Sequence, residues 1–139
     1  MTVDVTSVTP ATSLKQAHLK MLELRVRHLP VVSGGRLEGI VSDRDLLRAS
    51  RQKSDRIELP AKPVSEIMTR RPLTAGPKTT VSELARLMID EKIDAVPIVT
   101  PDRALLGLVT SSDLMLLLTD FLTPSEVLPF TFNMRHAED

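Results

Sequence analysis

Two short stretches carry residue types that can do chemistry, Ser42-Asp43-Arg44-Asp45 and Thr110-Ser111-Ser112-Asp113. Each follows a Gly-apolar-Val tripeptide, Gly39-Ile40-Val41 or Gly107-Leu108-Val109, so a hydroxyl and a carboxylate stand three residues apart where a strand ends and a helix opens. That spacing has two physical uses. As a helix-start box, hydroxyl and carboxylate satisfy amide groups that lack intrahelical partners. As a ligand site, the free N–H groups and partial positive charge of the helix start receive a phosphate beside Ser42 or Thr110. One turn on, Asp45 or Asp113 accepts both hydrogens of a ribose diol, in charge-assisted bonds worth roughly 1.5–3 kcal/mol each. Taken singly, each motif reads as a cap. Two of them at equivalent places shift the balance towards a ligand.

The equivalence comes from an internal repeat. Residues 8–32 lie on residues 75–99 at a constant offset of 67, which matches Pro10 with Pro77, Thr12 with Thr79, Met21 with Met88, Pro30 with Pro97 and Val32 with Val99. One extra residue in the second hairpin then moves the offset to 68 and aligns the two motifs. In each copy a capping box, Ser13 with Gln16 or Thr80 with Glu83, precedes apolar residues at helical spacing. Apolar strands at 29–32 and 96–99 have Pro at their second position, which suits a strand start or edge. A polar turn closes each hairpin onto 37–41 or 105–109, and a second helix runs to about residue 50 or 121. The expected fold is α/β (α+β): two β-α-β-β-α repeats packed with pseudo-twofold symmetry. Units of roughly 50 residues rarely stand alone, so the two are expected to share buried surface. The expected limits are 1–51 for the first repeat, 52–63 for a charged, Pro-bounded linker, 64–121 for the second repeat and 122–139 for a tail. Val64 to Met68 is expected to make one helical turn, and the apolar run Leu114 to Leu118 a helix buried on more than one side.

Composition narrows the function. Equal numbers of acidic and basic residues, 18 each, and three aromatic residues argue against a nucleic-acid footprint. With no Cys there is no disulfide, thiol nucleophile or thiolate metal site. The longest apolar run falls far short of the roughly 20 residues that span a bilayer, and the first residues lack the pattern of a secretion signal. A soluble cytoplasmic protein, with no nucleic-acid or membrane partner, is expected.

The two motifs, with His28-Leu29-Pro30-Val31-Val32, Ala95-Val96-Pro97-Ile98-Val99 and the lead-in Val64-Ser65-Glu66-Ile67-Met68-Thr69-Arg70-Arg71-Pro72, resemble a tandem pair of cystathionine-β-synthase-type (CBS) domains, a Bateman module. The resemblance covers about residues 3–121. It implies a stand-alone regulatory module that senses adenine nucleotides (AMP, ADP, ATP) or another adenosyl ligand such as S-adenosylmethionine or NADH, in clefts between repeats. Carried over by position, one cleft combines Ser42, Arg44 and Asp45 with Met68, Arg70, Ile93, Asp94 and Ala95. The other combines Thr110, Ser112 and Asp113 with Val5, Val26, Arg27 and His28. Two departures stand out. The N-terminus lacks a counterpart of Ile67-Met68-Thr69, and Asp94 sets a negative charge against a phosphate, with Arg44 and Arg70 as counter-charges. The resemblance also implies a homodimer and a regulated enzyme or transporter acted on in trans.

Other candidates carry less. Arg70-Arg71 reads equally as a phosphate clamp or a solvated pair, and His28 equally as a phosphate contact or a strand-edge His. His18 and His136 read as local or solvated side chains, and the three His lack metal-ligand spacing. Met21, Met68, Met88 and Met115 read as core filler. No phosphate-loop, nucleophile-elbow or zinc-protease motif is present, so no catalysis is expected. The competing class is a ligand-free structural or dimerisation module whose motifs only cap helices.

Overall fold

The computed structural model describes residues 6–121. Val5, and the tail from 122 with Phe130, Phe132 and His136, lie outside the described residues. In chain order the elements are α1 (Leu14–Leu24), β1 (His28–Ser33), β2 (Arg36–Ser42), α2 (Asp43–Ala49), β3 (Arg51–Lys53), β4 (Arg56–Glu58), a 3-10 turn (Val64–Glu66), β5 (Thr69–Arg70), α3 (Val81–Glu91), β6 (Ala95–Val99), β7 (Leu105–Thr110) and α4 (Ser111–Phe121). No helix among the described residues is long and apolar enough to cross a membrane.

The helix starts follow from local chemistry. Ser13 and Gln16, and Thr80 and Glu83, form reciprocal capping boxes at the heads of α1 and α3. Both helices end in the left-handed region at a non-glycine residue, Arg25 with φ 56° and Lys92 with φ 55°. The chain then turns directly into the antiparallel hairpins β1–β2 and β6–β7. Ser33 to Arg36 turns through Gly34 and Gly35, both at positive φ, which glycine adopts without a Cβ penalty.

The strand expected before each first helix is a single bridging residue. Val8 lies parallel to Val31 and Ala75 parallel to Ile98. Pro10 and Pro77 follow within two residues of each bridge, and a proline has no N–H to extend the ladder.

The charged stretch between the repeats is more than a connection, since β3 and β4 pair as a short exposed hairpin within it. Beyond it, residues 62–70 are stitched to the first repeat. Leu14 N–H donates to the Lys62 carbonyl and Val64 N–H to the Thr12 carbonyl, at 3.1 and 2.8 Å. The expected turn at Val64 follows, and β5 then pairs with β2 at Gly39 and Ile40 to give a sheet ordered β1-β2-β5. Val64 and Met68 are accordingly buried with Leu14, Leu29, Val31 and Val41 in the first core. A second core gathers Leu84, Met88, Val96, Ile98 and Val109. The hairpin ends tie the repeats together, with Leu37 N–H donating to the Arg103 carbonyl at 2.9 Å and Arg36 bridged to Ala104.

One packing expectation is corrected. Among the described residues α4 is not covered on more than one side: Met115, Leu116 and Leu118 are 66%, 61% and 58% exposed. Among the described residues the helix rests chiefly on β7 and α3. Met21, Met68 and Met88 are buried as core filler, whereas Met115 is not.

Candidate functional site

Both motifs close on themselves. At the head of α2, Ser42 N–H donates to Asp45 Oδ2 at 2.8 Å, and Asp45 N–H donates to Ser42 Oγ at 3.1 Å. At the head of α4, Thr110 N–H donates to Asp113 Oδ2 at 2.8 Å, and Asp113 N–H to Thr110 Oγ1 at 3.3 Å. The capping use of these residues is therefore realised in both repeats. It occupies one carboxylate oxygen in each case, and an ionised carboxylate has a second oxygen with its own lone pairs. At Asp45, that oxygen (Oδ1) lies 4.0 Å from Arg48 Nη1. In the second repeat, the position equivalent to Arg48 is Leu116, which carries no charge.

A cavity of about 730 Å³ lies beside the Thr110 motif. This is within the roughly 300–1,000 Å³ of small-molecule sites. Its walls come from both repeats: Val26, Arg27 and His28 from the turn between α1 and β1, and Thr110, Ser112 and Asp113 from the junction of β7 and α4. The left-handed Arg25 aims the chain from α1 into this wall and lines it as well. Backbone bonds hold each wall in place. Asp43 N–H donates to the Arg27 carbonyl and Ser111 N–H to the Asp94 carbonyl, both at 2.9 Å.

His28 is half-buried in this wall. Burial pushes its pKa below the ordinary value, because a charged imidazolium loses hydration there, and Arg27 pushes the same way. Asp43, Asp94 and Asp45 oppose the shift without reversing it.

Six of the residues singled out in the sequence thus surround one cavity: Val26, Arg27, His28, Thr110, Ser112 and Asp113. Asp94, which the resemblance assigns to the Ser42 cleft, joins them. Ser42, Arg44, Asp45, Met68, Arg70, Ile93 and Ala95 do not line it. Thr6, Leu24, Arg25 and Ser111 do line it and were not anticipated. Thr6, Arg25 and Ser111 adjoin anticipated positions, which is the one signal that marks them in the sequence.

The family model for the CBS domain matches residues 1–52 and 64–120. The chain belongs to the CBS domain family. It is a tandem CBS pair of the α+β class. It is 33% identical over 115 residues to the CBS domain-containing protein YhcV of Bacillus subtilis, covering 82% of this chain and 79% of that protein. It is likewise 33% identical over 122 residues to a homoserine O-acetyltransferase of Methanohalobium evestigatum, covering 87% of this chain but spanning only 24% of that enzyme. Among solved structures, CBSX2 in complex with AMP superposes with a TM-score of 0.76 at 27% identity, covering 84% of this chain and 90% of that one. The CBS domain pair of MJ0100, in complex with 5′-methylthioadenosine and S-adenosyl-L-methionine, gives 0.71 at 29% identity, covering 85% and 92%. CBS pairs of this kind are regulatory modules, with similar pairs binding small adenosyl compounds.

Proposed function

We propose that this CBS pair is a sensor that binds an adenine nucleotide or another adenosyl compound in the cavity between Val26–His28 and Thr110–Asp113. The carrying observation is that residues of both repeats, of the types a nucleoside phosphate needs, converge on one cavity of suitable volume. In this reading the head of α4 and Arg27 receive phosphate, the free oxygen of Asp113 holds the ribose diol, and Val26 packs on the base. Because the cavity has a wall from each repeat, an occupant favours the relative packing that fits it best, and so changes the surface offered elsewhere. A coupling of typically 1–3 kcal/mol suffices for regulation.

The reader of that change is a second copy of the chain or a regulated enzyme or transporter in trans. Exposed apolar residues on the helices, Leu22, Leu47, Ile89 and Met115 among them, supply apolar surface for such a partner. The module itself performs no reaction in this reading.

A thermal melt with AMP, ADP, ATP, S-adenosylmethionine and NADH, added separately, tests the proposal. At a free concentration 100 times Kd the ligand adds about 2.7 kcal/mol. For a chain of this size the expected rise in Tm is roughly 10 °C. If none of the five raises Tm at millimolar concentration, the competing reading of a ligand-free module with capped helices replaces this one.

A further inference from the structure

We infer that the two equivalent clefts are not both binding sites: one nucleotide binds per chain, at Thr110, while the Ser42 motif serves the fold alone. The inference rests on the sensor reading above and goes beyond it in assigning the sites different roles.

The residues that position alone would bring to the Ser42 cleft are largely engaged elsewhere. Met68 is only 7% exposed and lies in the first core, where β5 brings its thioether over Gly39. A Cβ built on Gly39 would stand 2.6 Å from Met68 Sδ and 2.7 Å from the Thr69 carbonyl oxygen, so the two segments are in direct contact. Arg70 turns back to donate through Nη2 to the Ser65 carbonyl at 3.0 Å. Ile93 packs against the second core. Asp94 lines the other cavity, with its carbonyl accepting from Ser111 N–H. Asp45 caps α2 through one oxygen and has Arg48 beside the other.

The Thr110 cavity carries Arg25 and Arg27 against Asp94 and Asp113 in its wall, so a guanidinium can meet a phosphate there. Helix α2 has seven residues against eleven for α4, so its head is also the shorter dipole.

Isothermal titration of the full chain with AMP distinguishes the outcomes. One molecule bound per chain is expected. Asp113→Asn keeps an oxygen for the cap but loses the charge, and should weaken AMP at least tenfold, whereas Asp45→Asn should change affinity by less than twofold. The exposed pair Arg27→Ala and Arg44→Ala repeats the contrast without touching either cap, should a cap variant fail to fold. Two AMP per chain, or a tenfold loss in folded Asp45→Asn or Arg44→Ala, overturns the single-site inference and leaves the sensor reading standing. Absence of binding by AMP and by the four other adenosyl compounds overturns the sensor reading and this inference with it.

Discussion

At the ends of β2 and β7 the same pair of hydrogen bonds is made, yet the two places are chemically unlike. Around Ser42 the neighbouring charges are Asp43, Arg44 and Arg48, and the next segment of chain, β5, closes over Gly39. Around Thr110 the corresponding residues are Ser111, Ser112 and Leu116, and a cavity opens towards the first repeat. On the single-site proposal, a duplicated motif preserves its capping role more readily than its ligand. Capping needs only two groups three residues apart, while a ligand site also needs space and a suitable field from the opposite repeat.

The contrast can be broken at Gly39. Gly39→Ala drives a methyl into Met68 and the Thr69 carbonyl. A carbonyl held in a ladder cannot swing aside as a flexible side chain can, so overpacking should cost about 1–3 kcal/mol, read as a lower Tm. Loss of less than a few tenths of a kcal/mol would mean that β5 is not firmly seated on β2. A smaller effect is expected at the caps. Ser42→Ala and Thr110→Ala each remove an acceptor at a helix head and should each cost about 1 kcal/mol in the unliganded protein. Only Thr110→Ala should also reduce the AMP-induced rise in Tm. Equal loss of that rise in both variants would restore the equivalence of the two clefts.

The smallest expected effect is a pH dependence confined to the Thr110 side. His28 has a folded pKa below its ordinary value of about 6.5. As pH falls below that value the unfolded chain takes up a proton that the folded chain resists, so stability is full above this window and declines within it. Melts across about pH 5.5–8 should show this slope reduced in His28→Gln. A phosphate beside His28 favours the imidazolium, so AMP should bind more tightly as pH falls towards 6 and the same variant should lose that trend. An unchanged slope in His28→Gln would remove His28 from the account.

The parts legible in the sequence are those governed by neighbours along the chain. The capping boxes at Ser13, Ser42, Thr80 and Thr110 use groups three residues apart, and the hairpins follow from short apolar runs flanking polar turns. The hairpin β3–β4 escaped because its strands are three residues long and lack the alternating apolar pattern that marks a half-buried strand. The pairing of β5 with the first repeat is non-local, and its trace in the sequence is Gly39, which reads equally well as part of the ligand motif. The exposure of Met115 and Leu118 could not be told from burial, since an apolar run does not say how many faces are covered.

From the order of its residues alone, this protein determined two copies of one supersecondary unit, their helix heads, and a hydroxyl–carboxylate pair at each. Such features depend on contacts within a few residues. Tertiary structure decided that the Thr110 pair faces a cavity, that Asp94 and His28 share its wall, and that Met68 is spent on a core. Those outcomes depend on how one repeat is seated against the other, and long-range packing leaves no fixed spacing along the chain to read.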